Sequence, residues 1–314
     1  MDLRSPFQEV RNFISNSHPI TKLFLFLFGM FCIFFITTFL GMLLAIPLFN
    51  LSLKEINELI INDLDSANNA FIKYIQAVQS IGFFVLPGWI FWHIFSYNVS
   101  KTTSHKSKIN EALTYILIFL TVISLVPVIN LLMRWNSSLQ FPSYLSDLEN
   151  TLQNLEENAA RITEKILSGE SLHQYLINVF IIAVLPAVGE EFIFRGVLQR
   201  LLTDWIKHGF IAILFTSLIF SAFHLQFYGF IPRLLLGMYF GYLYYWSKNI
   251  WLVIWAHFLN NALAVTLFFL TNKGIDIFPG YFGENSLTVT SLLIGTALSI
   301  LLLWITRVRT MNLD

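Results

Sequence analysis

The chain has 314 residues, of which 56% are apolar and only 12% charged, with 32 phenylalanines and a formal net charge of zero. Soluble domains carry about 25% charged residues, so the composition predicts a membrane protein. The net charge of zero gives no indication of nucleic-acid binding. The single cysteine, Cys32, excludes an internal disulfide, and no CxxC or clustered Cys/His spacing is present.

Apolar runs long enough to cross the hydrocarbon core are the main feature along the chain. They cover residues 23–49, 71–96, 112–133, 173–204, 209–226, 229–247, 250–271 and 287–306. We therefore predict an all-α polytopic membrane protein with about eight transmembrane helices and an active site buried in the bundle. The first run is too long for the apolar part of a cleaved signal peptide, so we interpret it as a retained span.

The runs divide one membrane domain into three parts. Residues 1–171 hold three spans and a polar connection, residues 172–271 hold a core with most of the buried polar groups, and residues 272–314 hold a turn-rich loop and the last span.

The distribution of basic residues indicates the orientation in the membrane. With both termini inside, twelve Lys and Arg residues would lie in inner segments and seven in outer ones, together the chain's nineteen. The positive-inside rule thus favours cytoplasmic termini.

The connection at 134–171 contains a predicted extramembrane amphipathic helix over about 143–168. Its apolar residues repeat alternately at three and four positions, as in a heptad seam. They are Leu145, Leu148, Leu152, Leu155, Ala159, Ile162 and Ile166. The seam could form a lid, a coiled coil that makes a homodimer, or a surface helix packed on the bundle.

Two carboxylates and an arginine interrupt the fourth apolar run, at Glu190, Glu191 and Arg195. An ionised side chain at the bilayer centre costs about 2.5–3.5 kcal/mol, so these residues predict a functional site or a structural ion network. Residues four apart share a helix face, so Glu191 and Arg195 can pair. Glu190 points about 100° away and is left to take a proton. Pro186 and Gly189, just before the pair, can kink the helix and free backbone groups.

His224, in the fifth run, is a second candidate. If the fourth and fifth helices turn near Lys207 and His208, Glu190 and His224 are each 17 residues from Lys207. They would then lie at one depth, where two groups can activate one water molecule. The alternative is a histidine that only makes a hydrogen bond between helices.

His257 and Asn261 lie four apart in the seventh run and share a helix face. Both can donate hydrogen bonds to an oxyanion, although both also serve as polar contacts between membrane helices. Counting from the turns places His257 about 10 Å closer to the inner surface than Glu190.

These residues form three motifs in a fixed order on predicted helices four, five and seven. They read Glu190-Glu191…Arg195 (EExxxR), Phe220…His224 (FxxxH) and His257…Asn261 (HxxxN). The ordered set resembles the CAAX-protease and bacteriocin-processing family, called CPBP or Abi, over about residues 172–271. No HExxH, GxSxG or phosphate-binding glycine loop is present, which excludes zincin, α/β-hydrolase and P-loop interpretations.

The resemblance implies an intramembrane endopeptidase. By analogy, Glu190 and His224 would activate water for attack on a peptide bond. The histidine and asparagine of the third motif would hold the oxyanion, and the Glu191–Arg195 pair would support the site. Glu190, His224 and His257 could instead form a His₂Glu zinc site with an open water position. We favour slightly the metal-free glutamate protease.

Partners and location follow from the resemblance. The protein would sit in a lipid bilayer and act on a peptide or protein there. Family members trim prenylated CAAX tails in eukaryotes, and bacterial relatives are linked to bacteriocin maturation and self-immunity. Richness in Phe, Ile and Asn suggests a bacterial plasma membrane, where a prenylated substrate is not expected.

Two other classes compete with the enzyme. A non-catalytic immunity or scaffold protein of the same fold would need the motif residues only for stability. A transporter would spread polar residues over several broken, pseudo-symmetric helices. Here they concentrate in three helices without an internal repeat, which favours the protease.

Overall fold

The computed structural model describes residues 16–61, 67–96, 111–275 and 289–311, together with Glu9, Phe13 and Ile14. Within these ranges all regular secondary structure is helical, which confirms the all-α prediction. The α-helices are α1 (Pro19–Phe49), α2 (Leu53–Ile61), α3 (Asn69–Ser80), α4 (Leu86–Ser96), α5 (Glu111–Ser137), α6 (Ser146–Leu167), α7 (Leu172–Val179), α8 (Leu185–Glu191), α9 (Arg200–Ile206), α10 (Gly209–Phe223), α11 (Phe230–Ser247), α12 (Ile250–Asn272) and α13 (Val289–Met311). Five basic residues used for the orientation lie outside the described residues, namely Arg4, Arg11, Lys101, Lys106 and Lys108.

Six helical stretches of the described chain are long and apolar enough to cross a membrane. They are Pro19–Phe49, Asn69–Phe95, Ala112–Ser137, Leu172–Ile206, Ile250–Asn272 and Val289–Met311. The polytopic prediction is confirmed, but the expected count of about eight is reduced to six by this criterion. The other two predicted spans are helices as well. Helix α10 has only 15 residues, or about 22 Å of the roughly 30 Å hydrocarbon core.

Three π-helical segments were not expected from the sequence. They are Ile81–Val85 between α3 and α4, Phe180–Val184 between α7 and α8, and Phe192–Gln199 between α8 and α9. π-Helix is rare and often marks functional sites. Two of the three segments flank α8, the short helix that ends with the Glu190-Glu191 pair.

The chain divides into two compact units. The first comprises Met1–Lys106 and Val184–Ala212, and the second comprises Ser107–Ala183 and Ile213–Asp314. In the first unit, α4 and the π-helical segment before it pack on the stretch that carries the carboxylate pair. Gly189 and Gly88 allow this approach. A Cβ on Gly189 would lie 2.8 Å from the backbone nitrogen of Val85, and one on Gly88 would lie 3.1 Å from the carbonyl oxygen of Gly189.

The core of the second unit is built from α5, α11 and α12. Its buried side chains are Ile118, Val122, Leu125, Tyr239, Phe240, Leu243, Leu252, Val253 and Ala256. Helix α13 packs on α5, where the hydroxyls of Ser124 and Ser299 lie 2.9 Å apart. This core fixes the helix that carries the third motif.

The predicted amphipathic helix is present as a 3₁₀ turn at Ser143–Leu145 followed by α6. Its seam is buried only toward the C-terminal end, where Ile166 is 2% exposed, whereas Leu148 is 46% exposed. The Asn178 side-chain amide donates to the carbonyl of Leu167 at 3.1 Å and fixes that end. The C-terminal half of α6 therefore packs as a surface helix on its own unit.

Candidate functional site

The first motif lies in a stretch of chain that is buried on all sides. Every residue from Gly189 to Gln199 is buried. Arg195 Nη1 donates to Glu191 Oε1 at 2.9 Å, and both side chains are fully buried. The ion pair that the spacing predicts is therefore formed. A buried pair of this kind offsets the cost of taking each charge out of water only through such close contact.

Glu190 is buried as well, with 8% of its surface exposed. Its Oε2 atom makes no hydrogen bond within the described residues. Two adjacent carboxyls thus share one guanidinium, and the hydrogen bond goes to Glu191. Glu191 Oε2 has the same status, so the two carboxyls differ in that Glu191 makes the ion pair with Arg195.

The local backbone differs from the regular α-helix assumed in the sequence prediction. Glu190 and Glu191 end α8, and Arg195 lies in the π-helical segment that follows. Pro186 is in the first turn of α8, and its missing N–H leaves the carbonyl of residue 182 without its usual helical donor. Gly189 provides close packing on Val85 in addition to any bend.

His224 lies just beyond α10, which ends at Phe223, and not inside the helix as expected. Leu225 then adopts a left-handed backbone with φ of 52°, which reverses the chain. His224 Nδ1 lies 2.9 Å from the carbonyl oxygen of Phe220. A carbonyl only accepts, so Nδ1 carries the hydrogen and the neutral ring has its basic lone pair on Nε2.

Phe220 brings the two motif histidines into one neighbourhood. Its ring lies 5.2 Å from the His224 ring and 6.0 Å from the His257 ring, measured between centroids. His257 is also stacked on Phe240 at 5.1 Å and is 4% exposed. The two histidines therefore border one aromatic ring, although turn counting placed His257 farther toward the inner surface.

The side-chain amide of Asn261 donates a hydrogen bond to the backbone carbonyl of Ile182, to which Pro186 has no N–H to donate. Its Nδ2 donates to the oxygen of Ile182 at 3.2 Å, and its Oδ1 accepts from Asn260 Nδ2 at 3.1 Å. Ile182 is the residue four positions before Pro186, so the amide replaces the missing helical donor. One of the two Nδ2 hydrogens is used in this contact, and the second is chemically available for another acceptor.

The chain after His224 borders a cavity of about 630 Å³. Polar side chains dominate its lining, including Glu149, Gln153, Glu156, Tyr228 and Arg233. A volume of this size lies within the usual range of ligand sites.

The six candidate residues thus form two groups, one in each unit. Glu190, Glu191 and Arg195 belong to the first, and His224, His257 and Asn261 to the second. The expected meeting of Glu190 and His224 stays a prediction. In the described part of the chain no group of three or more His, Cys, Asp and Glu side chains is placed so that it could hold a metal ion, and the zinc alternative stays a prediction.

One buried polar residue of the first group escaped the sequence prediction. Gln199 is 2% exposed and follows Arg195 by four positions. Glu191, Arg195 and Gln199 form a polar series at four-residue spacing, which could have indicated it. Gln199 therefore adds a third buried polar side chain, one helical turn beyond Arg195, to the series that begins at Glu191.

Residues 172–263 match the model of the family described as type II CAAX prenyl endopeptidase Rce1-like. The matched segment contains all six candidate residues. Over these residues the chain is similar to the CAAX-protease (CPBP) family. No curated protein and no solved structure gave a match. At family level, the match supports a CAAX-type intramembrane protease.

Proposed function

We propose that this protein is an intramembrane endopeptidase that hydrolyses a peptide bond by Glu190-assisted attack of water. The observation that carries the proposal is the buried carboxyl of Glu190, which is next in the chain to Glu191, the carboxyl that makes the ion pair with Arg195.

Proton transfer divides between two residues. Glu190 takes a proton from water as the water oxygen attacks the scissile carbonyl. His224 orients the same water through its Nε2, because its Nδ1 hydrogen is donated to Phe220. When the tetrahedral intermediate collapses, the C–N bond breaks and the departing amine receives the proton held on Glu190. The products are a new carboxyl terminus and a new amino terminus.

The oxyanion needs donors at the position where its charge develops. We assign this role to His257 and to the second Nδ2 hydrogen of Asn261. The Asn261 contact with Ile182 and the Phe240 stacking of His257 fix both side chains before a substrate arrives. Donors that are fixed in advance do not have to reorganise during the reaction, which is the basis of their catalytic effect.

The Glu191–Arg195 pair supports this chemistry indirectly. It neutralises the second carboxyl, so the Glu190 carboxylate does not face an uncompensated neighbour in the membrane interior.

We also propose that the termini are cytoplasmic and that the membrane is a bacterial plasma membrane. The proposed substrate is a peptide or protein segment whose polar flank enters the cavity beside Tyr228.

Cleavage by purified protein in lipid vesicles tests the proposal. A membrane-peptide library is incubated with the wild type and with the variants Glu190→Gln and His224→Ala, and products are read by mass spectrometry. We expect defined cleavage by the wild type only. Equal cleavage by Glu190→Gln would refute the mechanism, and a wild type that cleaves no peptide would favour the immunity or scaffold alternative.

A further inference from the structure

The reversal at residues 224–229, between α10 and α11, is held by side chains from distant parts of the second unit. Asn136, in the last turn of α5, donates from Nδ2 to the carbonyl of Phe227 at 2.9 Å. Its Oδ1 accepts the backbone N–H of Ile231 at 2.8 Å. One side-chain amide therefore holds the reversal and the first turn of α11 together.

The second of these bonds replaces a helix cap. Gly229 is the N-cap residue of α11 and has no side chain to accept an orphan N–H. Asn136 supplies the acceptor from another helix, and Glu156 of α6 accepts the neighbouring Tyr228 N–H at 3.0 Å. Because Asn136 is only 1% exposed, water does not readily replace it.

A third contact ties this cap to the helix that precedes His224. Ser221, three residues before His224 and fully buried, donates from Oγ to the carbonyl of Phe230 at 2.6 Å. The last turn of α10 is thus fixed to the first residue of α11, and Asn136 fixes that turn of α11 in place.

Leu225 shows why the reversal needs this support. Its φ of 52° is strained for a residue with a side chain, at a cost of about 1–3 kcal/mol, and such a conformation persists only where its surroundings determine it. Released from Asn136, the reversal can relax toward unstrained backbone. His224 is the residue adjacent to Leu225, so its ring would lose its fixed direction.

We propose that Asn136 is a positioning residue for the reaction, acting through the 224–229 reversal to hold His224 with Nδ1 on the Phe220 carbonyl and Nε2 toward the substrate. This inference rests on the proposed function, because it gives His224 a part in the chemistry. The contacts that carry it all lie within the second unit.

Three variants of the full-length protein test it. Asn136→Leu has a similar shape and loses both bonds to the reversal. Asn136→Asp keeps the acceptor for Ile231 but loses the donor to Phe227 and buries a carboxyl opposite that carbonyl, so it tests the Phe227 bond separately. Asn130→Leu is the matched control, since Asn130 lies six positions earlier on α5 and is also buried, at 9% exposure.

Two readouts are needed. The first is cleavage in lipid, where a displaced His224 lowers kcat more than it raises KM. We expect kcat to fall about ten- to hundredfold in Asn136→Leu, as misplacement of a catalytic group does, and also to fall in Asn136→Asp. The second is the ¹⁵N spectrum of histidine-labelled protein, with the His224 signal assigned by its loss in His224→Gln among the seven histidines. We expect a single Nδ1-protonated tautomer in wild type and a mixture in Asn136→Leu.

The outcomes separate this inference from the proposed function. A wild-type kcat and an unchanged His224 spectrum in Asn136→Leu would overturn the positioning role, as would equal losses in Asn130→Leu. If the wild type cleaves nothing, or His224→Ala remains active, the proposed function fails. The ¹⁵N spectrum then still decides whether Asn136 holds His224, because it needs no substrate.

Discussion

Arg195 Nη1 and Glu191 Oε1 lie 2.9 Å apart with no solvent exposure on either side chain. A charge pair at this depth is expensive to break, because removal of one partner leaves the other as an isolated buried charge. The adjacent Glu190 is also buried, and it is not the carboxyl of this ion pair. The proposed function accordingly assigns the reaction to Glu190 and a supporting role to the pair.

Glu190→Gln should abolish cleavage and leave the fold intact. The amide keeps the shape of the carboxyl but cannot take a proton, and general-base catalysis typically contributes about 10²–10⁴-fold. Initial rates in lipid and thermal unfolding would be measured together. The control is Glu157→Gln, a change at an exposed position of α6. It should alter neither the initial rate nor the thermal unfolding. A Glu190→Gln rate within twofold of wild type would remove the general-base assignment.

Arg195→Met should lower stability as well as activity. The Glu191 carboxylate would lose its buried partner, at a cost of about 3–5 kcal/mol. Unfolding in detergent would show this loss, and the double variant Glu191→Gln/Arg195→Met should regain part of it because no charge is stranded. Arg200→Met, one residue beyond the π-helical segment, serves as the comparison. An Arg195→Met protein as stable as wild type would contradict the ion-pair role.

Cleavage should persist in the presence of a strong zinc chelator. The proposal gives water activation to Glu190 and His224 and not to a metal ion. Rates would be compared with and without 1,10-phenanthroline and its non-chelating 1,7 isomer. Loss with the first isomer alone, followed by recovery on addition of zinc, would establish a metalloenzyme instead.

Cysteines at positions 190 and 224 should cross-link through a short bifunctional thiol reagent. The proposal requires both side chains to reach one water molecule. Because Cys32 is the single native cysteine, the Cys32→Ser variant has no other thiol that could react. The control pair is Thr203→Cys with His224→Cys. Turn counting separates those two positions by about 20 Å in depth. Cross-linking of the control but not of the 190/224 pair would refute a shared water.

Ile166→Ala should destabilise the protein while Leu148→Ala should not. Ile166 is 2% exposed and Leu148 is 46% exposed on the same seam of α6. Truncation of a buried isoleucine costs about 2–5 kcal/mol. Thermal unfolding tests the difference directly. The reverse order would mean that the exposed half of the seam is covered by a second copy, as in the homodimer interpretation.

The sequence located the helices well because their signal is simple. Long apolar runs bounded by residues such as Lys207 and Lys248 coincide with helices that end in left-handed turns at those residues. The i,i+4 spacing likewise predicted the Glu191–Arg195 contact. Both results depend on periodicity and length, which a single chain displays directly.

Other features could not be predicted, because they depend on contacts between distant residues. Hydrophobic patterns do not distinguish α- from π-helix, so the segment Phe192–Gln199 was missed. His224 was expected inside a helix, because nothing in its apolar neighbourhood indicates the left-handed Leu225. Asn136 gave no local signal for a bond to a reversal about ninety residues away, and its role follows only from tertiary structure.

The hydrogen bond from Asn261 to Ile182 also limits how the molecule can open. If α12 slid along its axis by one turn, the amide would leave this carbonyl, to which Pro186 has no N–H to donate. The contact therefore holds α12 in register with the chain around Ile182. Under the proposed function, the movement that admits a substrate would then involve helices other than α12.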